Sequence, residues 1–320
     1  MKNRIRVAVA GYGVMGRRRA ALLETHPDCE LIAVEDEDYR RLFEQPVDAL
    51  FVCLPNFLAA RATVTALERG LHVFCEKPAG RNLDDLAAIR RAHHARLDRR
   101  LMFGFNHRHH GSVRRALQVV QSGSLGAVTG LNGIYTKTLM EGWRTDRRQA
   151  GGGILLDQGI HMVDLFRLFA GDFVSCKSRV RSLDQGAVED DCRALLETAD
   201  GVVAALHSSA TAAEHRFRLD IALDLGEITL DGILSGTMRY APERLIVRGE
   251  QGSEEIFDVD DSFRAEVASF VTAIQQPDWV HGAGIGDAWS AMSLVYRIYC
   301  ADEQWRNEYD LRNEPRELWT

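Results

Sequence analysis

Residues 5–16 read IRVAVAGYGVMG. A short, mostly apolar run ends in glycines at 11, 13 and 16, and a helical pattern opens directly behind them. Glycine at these three places permits a tight turn, the approach of backbone to a pyrophosphate, and close packing of helix on strand, while the helix N-terminus supplies amide donors. Twenty residues on, Glu35-Asp36 closes a second apolar run. A carboxylate there accepts hydrogen bonds from an adenosine ribose and repels an added 2'-phosphate. Gly11, Tyr12, Gly13, Val14, Met15, Gly16 and Asp36 are therefore the candidate cradle for a dinucleotide, with NAD favoured over NADP. Arg17-Arg18-Arg19 has the opposing sign and reads as a solvated first helical turn.

Working outward, further apolar runs appear at 30–34 (ELIAV), 49–54 (ALFVCL), 72–75 (HVFC) and 101–105 (LMFGF). Runs of this kind suit strands buried on both faces, and the amphipathic stretches between them suit crossover helices, so an α/β, Rossmann-type doubly wound parallel sheet is expected. Only about eleven residues separate Asp36 from the third strand, which leaves little room for a βαβ crossover. From about residue 126 the pattern changes to consecutive strand-like stretches, among them RALLETA, VVAALHSSAT and FRLDIAL. These imply a second, α+β domain with a mostly antiparallel open sheet. The boundary is placed in Ser122-Gly123-Ser124-Leu125-Gly126, giving a dinucleotide-binding domain over 1–122 and a substrate-binding and oligomerisation domain over 123–320. Helices are expected near 261–276 and 284–304, the last of them free to pack back on the first domain.

Two further motifs carry chemistry. HVFCEKP puts Glu76-Lys77-Pro78 at the end of the fourth strand, where ligands of doubly wound sheets gather, and residues 151–164 read GGGILLDQGIHMVD. Together with the glycine loop they make the chain resemble the glucose-fructose oxidoreductase, inositol dehydrogenase and rhizopine-catabolism (Gfo/Idh/MocA) family over nearly its whole length. The resemblance implies a catalytic centre of Lys77, Asp157 and His161, cofactor contacts from Pro55, Asn56, Glu76 and Lys77, and hydride transfer between nicotinamide and a secondary alcohol or ketone of a sugar, nucleotide sugar or cyclitol. If the helix begins just after the glycines, Asp157 and His161 stand at i and i+4 on one face, and Gly151 to Gly153 let the backbone pass close to substrate or nicotinamide. Asp164 reads as structural. Arg108 and Arg144 are candidate substrate contacts besides Lys77, Asp157 and His161, because a guanidinium offers several donors. His107, His109 and His110 form no recognised ligand spacing, so no metal is expected. Ala59 and Arg19 stand where the family often has histidine.

Composition narrows the classes. With a formal net charge of -7 over 320 residues, the chain is a poor general polyanion binder, and no apolar stretch approaches the length of a membrane span. No nucleic-acid or membrane partner is expected. Six scattered cysteines without a C-x-x-C pair fit reduced thiols in a cytoplasm. An open second sheet favours a homodimer or homotetramer. Two other functions fit the same motifs: an enzyme that keeps its NAD and oxidises a sugar transiently to permit elimination or glycoside cleavage, and a cofactor-binding regulator without turnover.

Overall fold

The computed structural model describes residues 4–184, 186–232, 240–250, 252–276, 278 and 282–311. Its first sheet is built from β1 (Ile5–Ala10), β2 (Cys29–Glu35), β3 (Ala49–Val52), β4 (His72–Glu76) and β5 (Leu101–Gly104). They lie in the order β2-β1-β3-β4-β5, every pair parallel. Each residue of β3 and β5 is buried, which is why these strands read as continuous apolar runs. The helices α1 (Val14–Glu24), α2 (Asn56–Glu68) and α3 (Leu83–His94) make the crossovers. Between β2 and β3 the short link forms only a 3-10 turn, Tyr39–Glu44, whose first amides are met by the Asp38 carboxylate accepting from Arg40 N–H.

After α4 (Gly111–Gln121) and a turn holding Gly123 and Gly126 at positive φ, the chain enters a second sheet. The strands are β6 (Val128–Thr136), β7 (Phe173–Arg181), β8 (Asp191–Thr198), β9 (Val203–Ser209), β10 (Arg216–Leu223), β11 (Gly226–Asp231), β12 (Glu243–Arg248) and β13 (Ser253–Phe257). Their order is β13-β12-β11-β10-β6-β9-β8-β7, antiparallel except where β6 meets β9. The short α5 (Arg147–Ala150) and the longer α6 (Ile160–Ala170) fall between β6 and β7. Helix α6 covers one face so closely that a Cβ on Gly133 of β6 would lie 2.6 Å from the Met162 sulfur. On the other face β8 alternates buried and exposed residues, with Leu195 turned out to solvent.

The chain then returns to the first sheet through α7 (Ser262–Gln275), α8 (Ile285–Ala301) and α9 (Glu303–Glu308). Phe270 of α7 packs edge-on against Phe51 and Phe74, at 5.4 and 5.7 Å between ring centroids. Such pairs add about 0.5–1.5 kcal/mol each beyond the area they bury. Phe103 of β5 donates its N–H to Ala283 at 2.8 Å. Residues late in the chain thus complete the packing of the first sheet, and the cleft between the two sheets gains a wall from α7 through Phe263.

Candidate active site

A cleft of about 630 Å³ runs from the glycine loop to the start of α6. At the loop end, Gly11 has φ +92°, and a Cβ there would sit 2.5 Å from the Cys53 carbonyl oxygen. A Cβ on Gly16 would fall 1.9 Å from the Gly11 carbonyl, whereas one on Gly13 would meet nothing within 4 Å. Gly11 and Gly16 therefore serve packing, and Gly13 borders open space. Gly11, Gly13, Val14 and Met15 line the cleft. No side chain caps α1 and no acid stands in its first turn, so this helix end fits a phosphate anion. Asp36 also lines the cleft and accepts the Tyr12 N–H at 2.6 Å. Tyr12 itself turns outward beneath the Arg17 guanidinium, 5.4 Å away.

The arginine triplet requires a correction. Arg19 is fully buried, not solvated. It donates to Glu76 at 2.7 Å and to Glu266 of α7, and lies 4.5 Å over the Phe74 ring. Arg18 stacks 4.4 Å over Phe263, and only Arg17 is largely exposed. Burial and the Glu76 charge push Glu266 up to about 8, against the pull of Arg19.

At the other end, Lys77 follows β4 and donates to the backbone carbonyl of Asp157, with its Nζ 3.7 Å from the Asp157 carboxylate. The same carboxylate takes Lys137 at 2.6 Å and Arg144 at 3.5 Å. Burial opposes its ionisation, but the Lys137, Lys77 and Arg144 charges outweigh that and hold the carboxyl well below its usual range. Burial lowers Lys77, which Asp157 only partly offsets. His161 is depressed well below its ordinary value by burial, then by the Lys77 and His110 charges. Its ring lies 4.1 Å from that of His107, and its buried Nδ1 has no hydrogen-bond partner among the described residues.

The local winding differs from a plain helix. Leu155–Gly159 forms a π-helical turn and α6 starts only at Ile160. The wider turn brings Asp157, Gln158 and His161 to the cleft together; π-turns commonly occur at functional sites. Glu189, between β7 and β8, holds the turn: its carboxylate accepts from Gly153 N–H at 2.7 Å, Leu155 N–H at 3.1 Å and the Tyr299 hydroxyl at 2.6 Å. This overturns the role expected for Gly151 to Gly153. Added Cβ atoms would lie 2.1 Å from the Arg81 carbonyl, 2.4 Å from the Tyr299 hydroxyl and 1.8 Å from the Glu189 carbonyl respectively. The glycines admit neighbouring chain, not ligand.

Pro55, Asn56 and Glu76 line the cleft beside Lys77, although Asn56 spends its amide on the Ala150 carbonyl at 2.7 Å. Arg108, expected at the substrate, does not reach the cleft wall. Its guanidinium grips buried Asp164 at 2.6 and 2.7 Å and Asp287 at 2.8 Å, fastening α6 to α8. His110 pairs with Glu243 at 2.6 Å, a contact between α4's N-terminus and β12. Lys137, Trp143, Gln158 and His215 line the cleft without having been expected there. For Lys137 the sequence offered no signal beyond a single lysine directly after the stretch that forms β6.

Comparisons with known proteins agree with this fold. Residues 35–105 match the family profile described as oxidoreductase family, NAD-binding Rossmann fold, and residues 113–229 match that of the GFO/IDH/MocA C-terminal domain. A D-xylose 1-dehydrogenase (NADP(+)) of Haloferax volcanii is 29% identical over 295 residues, covering 84% of this chain and 88% of its own. A dTDP-3,4-didehydro-2,6-dideoxy-alpha-D-glucose 3-reductase of Streptomyces antibioticus is 29% identical, covering 90% and 95%. Among solved structures, a 3-ketoreductase from Actinomadura kijaniata with NADP and TDP-benzene superposes with a TM-score of 0.82 at 24% identity, covering 93% of this chain and 98% of that one. At that identity the likeness speaks for the fold.

Proposed function

The chain belongs to the Gfo/Idh/MocA family of oxidoreductases, and from that premise we propose that it is an NAD-dependent dehydrogenase acting on a secondary alcohol or ketone of a sugar, sugar derivative or cyclitol. The observation that carries this reading is the convergence of Lys77, Asp157 and His161 at one end of a cleft whose other end is the glycine loop. The loop residues and Asn56, Glu76 and Lys77 would hold NAD. Bound there, NAD would supply the acceptor for the hydride lost by the carbinol carbon.

The protein has to move the hydroxyl proton and hold the developing alkoxide. With its pKa depressed, His161 is neutral at pH 7 and able to accept that proton. Lys77 donates to the same oxygen. Asp157 keeps Lys77 and Lys137 in place and leaves the histidine ring to His107, a division of labour different from an Asp157 aimed at His161. The NAD preference rests on Asp36 and its acidic neighbours Glu35, Glu37 and Asp38, although the Haloferax volcanii relative's name specifies NADP. Six free cysteines support a reducing, cytoplasmic setting, and the outward Leu195 and Val203 of the second sheet support a homodimer or tetramer. Screening sugars, cyclitols, uronates and nucleotide sugars for NADH formation at 340 nm tests the reading. Release of a leaving group without net NADH would instead favour a retained, recycled cofactor.

A further inference from the structure

The chemical end of the cleft holds more positive charge than its acids balance. Lys77 from the end of β4, Lys137 from the end of β6 and Arg144 from the turn before α5 all stand within 3.7 Å of the one carboxylate of Asp157. Three separate elements contribute, so no single charged face explains the cluster. The other acids of the wall are committed or distant. Glu76 is paired to Arg19, Asp36 accepts from the glycine loop at the far end of the cleft, and Glu141 is exposed to solvent. His215 adds a further titratable base and no acid.

Arg144 is the least committed of the three cations. It rests 4.6 Å over the Trp143 ring, its side chain is 42% exposed, and it forms no hydrogen bond among the described residues. A guanidinium held over an indole is oriented at little entropic cost and presents a planar fork of donors. Lys137 is only 8% exposed and already near its single acid. Gathering cations in a half-buried cleft is unfavourable unless an anion joins them.

We propose that the substrate carries an anionic oxygen group, a carboxylate or a phosphate ester, close to the hydroxyl that is oxidised, and that Arg144 binds it. This rests on the dehydrogenase reading, in which Lys77 and His161 address the hydroxyl. A charged hydrogen-bonding fork of this kind discriminates by roughly tenfold to hundredfold, so the anion selects the substrate and leaves the chemical step to Lys77 and His161.

The test uses the full chain with NAD. Initial rates are compared for a neutral sugar, its uronate and its phosphate ester, and calorimetry on the NAD complex measures binding of the uronate and of inorganic phosphate. One anionic member should exceed the neutral sugar at least about tenfold in kcat/KM, and which one identifies carboxylate or phosphate. Arg144→Gln should raise its KM roughly tenfold to hundredfold with kcat and NAD affinity little changed, and Arg144→Lys should restore part of the loss. Preference for the neutral sugar with a KM indifferent to Arg144→Gln would overturn the proposal. So would an equal loss of NAD affinity, which would assign the cations to the cofactor's phosphates. If no sugar is oxidised while the uronate or phosphate still binds through Arg144, the dehydrogenase reading falls and the anion site stands; absence of that binding removes the anion site.

Discussion

Two glycine-rich stretches border the same cleft and do opposite things. At Gly11–Gly16 the middle glycine opens on empty space, and the helix behind it has no cap of its own. At Gly151–Gly153 every absent Cβ is replaced by another part of the protein: the Arg81 carbonyl, the Tyr299 hydroxyl, the Glu189 carbonyl. One stretch leaves room for a ligand and the other draws three distant segments onto the root of the π-turn. The same residue type marks a binding surface in one place and a packing joint in the other, and only the neighbours tell which.

The largest expected effect is at the joint. In Gly153→Ala the new methyl would meet the Glu189 backbone at 1.8 Å, where neither side can yield without breaking the Ile154 N–H to Glu189 bond of 2.9 Å. Overpacking against backbone costs about 3 kcal/mol or more. A melting temperature several degrees lower, or loss of folded protein, is expected; a variant as stable as the parent would erase the contrast between the two stretches.

Next come the groups that the joint positions. Lys77→Met and His161→Asn should each cost roughly 10² to 10⁴ in turnover, with NAD affinity little changed. Asp157→Asn should act in the same direction, and the combined loss should be far less than the product of the single losses. Because His161 titrates well below its ordinary value, kcat/KM for oxidation should hold as pH falls to 6.5 and drop only at lower pH. An acid limb centred at or above 6.5 would remove His161 as the buried neutral base.

The contrast also bears on what was legible beforehand. In the first sheet β1, β3, β4 and β5 could be read from their apolar runs, because burial on both faces writes itself into consecutive residues, whereas β2 shows such a run although it is only half-buried; in the second sheet β8, β9 and β10 could be read from their alternation. Lys77, Asp157 and His161 were legible as motifs. Lys137 was not, since a single lysine after a strand has no period. Arg108, Arg19 and Gly153 read differently in the sequence for one reason: their partners Asp164, Glu266 and Glu189 lie 56, 247 and 36 residues away, and short-range patterns do not reveal such pairings; the same holds for Gly151 against Arg81 and Gly152 against Tyr299.

At the open stretch, Gly13→Ala sharpens the comparison. Gly13 has φ -68°, which alanine adopts freely, and its Cβ would touch no protein atom. Melting temperature should stay the same while NAD binding, measured by calorimetry, weakens roughly tenfold to hundredfold, because the methyl occupies the space that a pyrophosphate needs. Loss of stability with unaltered NAD binding would make Gly13 a packing glycine like Gly153.

The smallest effect is expected at Asp36. Its carboxylate is exposed, so repulsion of a 2'-phosphate is screened by water and salt, and the preference rests chiefly on the hydrogen bonds that it offers a ribose. Asp36→Ser should weaken NAD about tenfold and barely improve NADP, because the nearby arginines are engaged: Arg40 holds Asp38 at 2.7 Å, Arg41 lies 3.8 Å from Glu35, and Arg17 donates to the Tyr12 carbonyl at 3.0 Å. The substitution also removes the acceptor for the Tyr12 N–H, which loosens the loop for both cofactors and bounds any gain for NADP. Calorimetric titration of the parent and Asp36→Ser with both cofactors reads all of this at once. If the parent bound NADP as tightly as NAD, Asp36 would not be selecting between them, and the arginines around it would have to let go of their acids to hold the extra phosphate.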